Sequence, residues 1–430
     1  MSKFQIILTA VFVICILGGV VAFATYKNTS ESNKLPPISI WGTFPASTFN
    51  TFVGKISESL PSPLNITYVE IPQAEFRQNL IESLANGQGP DAILVPQTDL
   101  YGYYDKIVQI PNNILPTAQF KSSFVSQAEL YLTSTGVLAV PFVIDPLVMY
   151  WNRTIFTNAG IAKQPQYWDD FTDVNKKITT KDANSNIRRS AIAMGEFVNV
   201  NNAREILSAL LLQLGNPITA FVDTGLVSTI GDGAYSGSQI SIPALNFYTQ
   251  FADPRNAQYS WNRSLPLSKN SFLSGTLATY FGFTSEISDI RAKNPNLDFD
   301  ISQLPQVRNG AIRATYGNMY GFSIIKSSTS VGDTYATINL LTEPSSMALL
   351  NQYVYLPSVR REVIASGSTD PYMTIFLDSA LISRGWIDTS VARSSNILKN
   401  LVESITSGRV DVYTALKQAN DEMDISLKSK

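Results

Sequence analysis

Between Ile38 and Pro96 the hydrophobic period changes repeatedly, and this limits the folds open to the chain more than any other feature. Ile38-Ser39-Ile40-Trp41 alternates as a strand does. Phe49, Phe52, Val53, Ile56 and Leu60 then recur at the spacing of one helix face. Asn65 to Glu70 alternates again, and Phe76, Leu80, Ile81 and Leu84 mark a second helix stopped by Gly87 and Gly89. Asp91 to Val95 is a short apolar strand. The order β-α-β-α-β calls for a parallel sheet with helices on its faces, because parallel neighbours need a long crossover between them. Such sheets hold ligands beyond the carboxyl ends of their strands. That rule selects Gly42-Thr43-Phe44 after the first strand and Pro96-Gln97-Thr98-Asp99 after the third, although each also reads as an ordinary turn.

A chain of 430 residues suits two domains or one large bilobal one. With 44% hydrophobic and 15% charged residues it can build a sizeable core. A net charge of −2 offers no basic field for a phosphate backbone, which argues against nucleic acid as a partner. There is no histidine, so the commonest general base and transition-metal ligand are missing. Cys15 is the single cysteine, which excludes an intrachain disulfide and a thiolate metal cluster. Neither a metal nor a cofactor is expected.

Residues 4–25 read as a transmembrane anchor or signal. Phe4 to Ala24 carries no charge, about 20 residues that suffice to cross ~30 Å of hydrocarbon as a helix. A cleavable signal has a shorter apolar run, roughly 7–15 residues, which favours an uncleaved anchor; Ala22-Phe23-Ala24 keeps cleavage open. Cys15 follows Phe12-Val13-Ile14 and lacks the small residue that lipid attachment needs beside it. Residues 26–37, polar and ending in Pro36-Pro37, read as a linker.

Further along, Gly136 to Ile161 contains an apolar strand ending in Pro141, a polar break at Asp145-Pro146 and a second strand from Val148 to Trp151. Asn152 is placed to cap a helix that Gly160 closes. Ala203 to Leu214 reads as a buried helix, and Gly225 to Ser241, rich in Gly and Ser, as a loop. Leu277 to Phe281, Phe299 to Leu304 and Tyr320 to Ile325 read as strands. Two helical stripes close the chain: Ile397, Leu398, Leu401, Val402 and Ile405, then Val412, Ala415, Leu416 and Ala419 behind a capping Asp411.

Several short motifs fall in a specific order. They are Gly89-Pro90-Asp91, Val140-Pro141 with Tyr150-Trp151-Asn152, Gly160-Ile161 with Pro165 and Trp168-Asp169-Asp170, Phe272-x-x-Gly275-x-x-Ala278, Leu304-Pro305, Leu356-Pro357, and Ser407-Gly408 with Ala415-Leu416. In that order, from Ile38 to Met423, the chain resembles the solute-binding proteins of ABC importers, in the sugar-binding, maltodextrin-type group. It departs in lacking the lipid-attachment signal and in carrying Tyr167 where a capping Thr is usual. The resemblance implies an α/β, two-lobed periplasmic-binding-protein-like fold of type II, with hinge strands and a preceding membrane helix. The first lobe would take 38–143 plus about 318–356, the second 144–317 plus about 357–430. It also implies ABC permease subunits as partners, an N-terminal membrane tether and an extracytoplasmic body.

Sugars are recognised by aromatic faces and by side chains that exchange hydrogen bonds with hydroxyls. Candidate ligand residues are therefore Trp41, Thr43 and Phe44, Gln97 and Thr98, Phe142 and Asp145 beside the hinge, Tyr280 and Phe281, Tyr316, Asn318 and Tyr320, and Tyr353. Tyr316, Asn318 and Tyr320 fall on one strand face. Any one ring taken singly reads more readily as core than as a ligand contact, and Asp145 could instead cap a turn or pair with an arginine. A carbohydrate-active enzyme using two of Asp145, Asp91 and Asp99 is an alternative that needs no histidine; a solute sensor subunit is another. The sequence shows no charge pattern that would select a polyamine, phosphate-ester or peptide ligand.

Overall fold

The computed structural model describes residues 36–223, 225–231 and 240–428. The proposed anchor at 4–25 and nearly all of the linker lie outside them. Among the described residues no helix is long and apolar enough to cross a membrane.

The main sheet is built from β1 (Ile38–Gly42), β2 (Ile66–Glu70), β3 (Ala92–Pro96), β4 (Val140–Asn152), β5 (Thr180–Lys181), β6 (Ile187–Ile192), β7 (Leu277–Phe283), β8 (Phe299–Gln303), β9 (Thr315–Ile324) and β10 (Ser383–Arg384). Its order is β2-β1-β3-β9-β4-β7-β6-β5, with β8 also on β4 and β10 also on β9. β1 lies parallel to β2 and β3, as the alternating start of the chain demands. The helix Ala46–Glu58 buries Phe49, Phe52 and Ile56, and Gln73–Ala85 buries Phe76 and Leu80. β3 is buried at every residue because it has a strand on each side.

β4 joins the lobes. The sequence suggests two strands separated by a break at Asp145-Pro146; the structure has one strand of 13 residues. Val140 to Pro146 pairs with β9, Leu147 to Trp151 with β7, and Val148 to Asn152 with β8 on the other side. Proline removes a ladder donor, but Pro146 stands where the strand changes partners. The adjacent Leu147 carbonyl accepts from the Thr315 hydroxyl at 2.5 Å.

β9 is the second crossing: Tyr320 to Ile324 pairs with β3 of the first lobe, while Thr315 and Tyr316 pair with β10. After Leu356 the chain stays with the first lobe through Ser358, which bridges Val143, and Arg361, whose Nε donates to the Phe124 carbonyl. It then enters the second lobe toward β10. The Gly- and Ser-rich stretch read as a loop begins instead with a strand, Gly225–Ser228, hairpinned to Thr219–Val222. The closing helices, Val391–Thr406 and Val412–Lys428, pack as a pair.

Three aromatic residues expected beside the ligand are core. Phe142 is fully buried, with ring centroids 5.0 Å from Phe322, 5.5 Å from Phe52 and 5.8 Å from Phe44. It faces inward because β4 is covered on both faces in this stretch. Phe281 packs between Trp168 and Phe171, and Tyr280 against Phe272 and Tyr150, inside the second lobe. Phe142→Ala should therefore cost about 3–5 kcal/mol of stability, measured by urea unfolding, while ligand affinity of the folded fraction stays within a few-fold.

Candidate functional site

β4 and β9 cross between the lobes, and at the crossing Asn318 pairs with Asp145. On β9, Asn318 and Tyr320 are half-buried on one face, as the alternation requires. Tyr320 meets Phe44 edge-on at 5.5 Å. Burial first, then the charges of Asp145 and Asp99, push its phenol up to about 12. Both carboxylates thus lie within electrostatic reach of the Tyr320 hydroxyl.

Asp145 is 8% exposed. Its Oδ1 accepts from the Thr284 hydroxyl at 2.7 Å and the Ser285 amide at 3.0 Å, which ties the turn after β7 to the hinge. Burial pushes its carboxyl up to about 6 against these hydrogen bonds, and Glu286 adds to the rise.

The first lobe contributes the two loops chosen by the strand-end rule. Thr43 is half-buried and its hydroxyl oxygen has no hydrogen-bond partner. Phe44 is buried behind Tyr320, and Trp41 packs half-buried on the core. Thr98 is buried. Gln97 is buried and serves the sheet, with its Nε2 donating to the Gly317 carbonyl at 2.8 Å and its Oε1 accepting from the Met319 amide at 2.9 Å. The side chain thereby continues the ladder of β3 along β9 past Pro96, and Gln127 joins it by donating to the same Oε1 at 2.7 Å. Asp99 is half-buried, with Gln73 Nε2 donating to its Oδ2 at 3.1 Å. Burial pushes it up to about 6; Asp388 raises it further, while Arg204 and Arg77 act against the rise.

Across the cleft stands Arg204, opening the helix Ala203–Gln213. Its Nη2 donates to Asp388 at 2.7 Å, its Nη1 to Glu205 at 3.0 Å and to the Tyr316 hydroxyl at 3.3 Å. Its guanidinium lies 4.5 Å from the Trp386 ring centre. Burial works against its charge, yet Tyr316, Glu205 and Asp388 hold its pKa above the ordinary arginine value. Tyr316, expected at the ligand, is thus a buried partner of Arg204. Tyr353 is half-exposed on a different surface, beside Ser47, Thr48 and Leu350, and joins none of the other candidates. Asp91 lies at the far end of β3, accepting from Ser39 and Ser328, away from the cleft.

An interlobe groove of about 520 Å³ is lined largely by apolar and aromatic side chains, including Tyr101, Tyr104, Leu132, Phe221 and Trp386. The Tyr101 and Phe221 rings face each other from the two lobes at 6.0 Å. It borders Tyr131, which packs on Gly321, so it lies on the face of β9 away from Asn318 and Tyr320. Of the sequence candidates only Gln97 touches it. Tyr101 and Tyr104 follow Asp99 and could have been reached by extending the strand-end rule. Phe221 and Trp386 lie in stretches without a readable period. Among the described residues no group of three His, Cys, Asp or Glu side chains could hold a metal.

Residues 63–348 match the family model of the bacterial extracellular solute-binding proteins. No curated protein matches the sequence. Among solved structures, the fold is similar to a cyclic alpha-maltosyl-1,6-maltose binding protein from Arthrobacter globiformis, at TM-score 0.74 and 16% identity over 92% of this chain and 100% of that one. It is similar to a cyclo/maltodextrin-binding protein complexed with maltotetraose, at TM-score 0.72 and 14% identity over 92% and 99%. An ABC substrate-binding protein from Listeria monocytogenes in complex with cycloalternan gives TM-score 0.67 and 14% identity over 92% and 99%. These likenesses establish the two-lobed fold.

The raised carboxyls set a pH dependence. The native state holds protons on Asp145 and Asp99 up to about pH 6, whereas an unfolded aspartate releases its proton near about 4. Between those values the native state binds more protons, so stability falls as pH rises through that window. Asp145→Asn keeps an acceptor for Thr284 and Ser285 and removes the buried charge. Thermal unfolding should show this variant at least as stable as the wild type near pH 7, by at most about 3 kcal/mol, with a flatter profile from pH 4 to 6.

Proposed function

The chain belongs to the bacterial extracellular solute-binding proteins, and from that premise we propose that it captures a carbohydrate, of oligosaccharide type, for an ABC importer. The observation that carries the reading is the cleft floor. Asn318, Tyr320 and Asp145 sit where two strands cross between lobes, with the unsatisfied Thr43 hydroxyl at a strand end of the first lobe. A rim of rings with a few convergent hydrogen-bonding groups suits the hydroxyls and C–H faces of a sugar. Of the residues first proposed as ligand contacts, Thr43, Asp145, Asn318 and Tyr320 keep that role; Asp99 joins them.

Ligand would be bound and released unchanged, with closure of the lobes drawn by contacts to both at once. The structural relatives with bound maltotetraose and cycloalternan support this reading by analogy of fold. The body would be held outside the cell by residues 4–25, presenting its ligand to permease subunits; an uncharged stretch of that length supports a tether rather than a leader.

A thermal-shift screen over mono- and oligosaccharides tests the reading. An oligosaccharide at about 100 times its Kd should add about 2.7 kcal/mol of stability, with a smaller radius of gyration in solution scattering and no product on prolonged incubation. Stabilisation by anionic solutes alone, or turnover of the bound sugar, would reject it.

A further inference from the structure

We propose a second carbohydrate site, apart from the cleft, in which a neutral sugar ring lies on the exposed face of Tyr353 and its hydroxyls enter the two hollows that this side chain borders. The class of ligand rests on the reading above; the place does not. Tyr353 stands in the chain between the helices Pro344–Leu350 and Arg361–Ala365. It lines a hollow of about 560 Å³ together with Asn351, Gln352, Tyr355, Thr369 and Asp370. It also lines one of about 220 Å³ together with Ser47, Thr48 and Phe52. Val354 borders both hollows as well, so they adjoin. None of Thr43, Asp99, Asp145, Asn318 and Tyr320 lines either one.

The two tyrosines of this surface differ in what they already do. Tyr355 is committed to the fold: its hydroxyl donates to Asp370 Oδ2 at 3.3 Å, its ring meets Phe376 edge-on at 6.1 Å, and the Arg291 guanidinium stands 5.9 Å from its centre. Tyr353 is 50% exposed, and among the described residues its side chain has no ring contact and no hydrogen bond. Lys55, within electrostatic reach of Tyr353, is held by Glu58 at 3.1 Å. The side chains of Ser47, Thr48, Gln352 and Thr369 likewise make no hydrogen bond among the described residues. Asp370 is the one charged side chain in the lining. Its Oδ1 accepts from the Tyr372 and Met373 amides at 2.7 and 3.1 Å, capping the helix Pro371–Leu381, and its Oδ2 accepts from Tyr355. An open ring beside neutral hydroxyl and amide groups suits the C–H faces and hydroxyls of a sugar. A phosphate or carboxylate would find no cation in the lining. A wholly apolar molecule would cover the hydroxyls and the Gln352 amide without replacing their hydrogen bonds to water.

Saturation-transfer NMR on the full-length protein reads weak binding of this kind, with maltotetraose and cellotetraose as probes. Asn318→Ala combined with Tyr320→Ala removes cleft contacts and leaves Tyr353 in place. At least one probe should still bind this double variant, with a Kd of about 1 mM. Adding Tyr353→Ala should weaken that binding about tenfold or more, whereas adding Tyr353→Phe keeps the ring and should change it by about twofold at most. Urea unfolding checks that each variant is folded; a half-exposed ring should move the midpoint little. Loss of both probes from the double variant, or no effect of Tyr353→Ala, overturns the second site while wild-type binding still supports the cleft. No transfer to either probe from the wild type also overturns it, and the oligosaccharide screen above then decides the cleft reading separately. Binding that is unchanged in the double variant and vanishes with Tyr353→Ala alone upholds the second site and rejects the cleft as the carbohydrate site.

Discussion

One strand carries the hydrogen-bond ladders of both lobes, and the rest of the architecture follows from how it does so. β4 is bonded to β9 up to Pro146 and to β7 and β8 from Leu147 onward. A residue without an N–H would disrupt the middle of an ordinary ladder. Here it marks the place where one ladder ends and the next begins, with the Thr315 hydroxyl closing the gap at Leu147. The same few residues place Asp145 on the cleft floor and fasten it to the turn after β7. Hinge and proposed binding surface are therefore one piece of backbone.

The other crossing strand is finished by side chains. β3 ends at Pro96, leaving the edge of β9 open from Gly317 to Met319, and Gln97 fills it with a donor and an acceptor. Gly317 has no room for a side chain there: an added Cβ would stand 2.6 Å from Gln127 Oε1 and 2.7 Å from an Ile144 methyl. The side chains of Asn318 and Tyr320 lie on the opposite face and take no part in this arrangement.

The fold was legible because its periods are long and its motifs ordered. The β-α-β-α-β start and the paired closing helices match the structure to within a few residues. The strand face shared by Asn318 and Tyr320 was legible for the same reason. Burial depth was not. Phe142, Phe281 and Asn318 all lie on apolar strands near predicted strand ends, and only three-dimensional packing separates the first two, closed over by other rings, from the third. Gln97 was selected for its position at a strand end, but its amide is used up by the neighbouring strand, a pairing 220 residues away that no local pattern encodes. Ion matching is equally non-local. Arg204 meets Asp388 across 184 residues, so the sequence could not show which acids remain without a cation.

That non-local matching bears on how the lobes move. Asp99 belongs to the first lobe and feels Asp388 of the second, a repulsion that Arg204 only partly offsets. A ligand closes the protein only through contacts stronger in the closed form than in the open one.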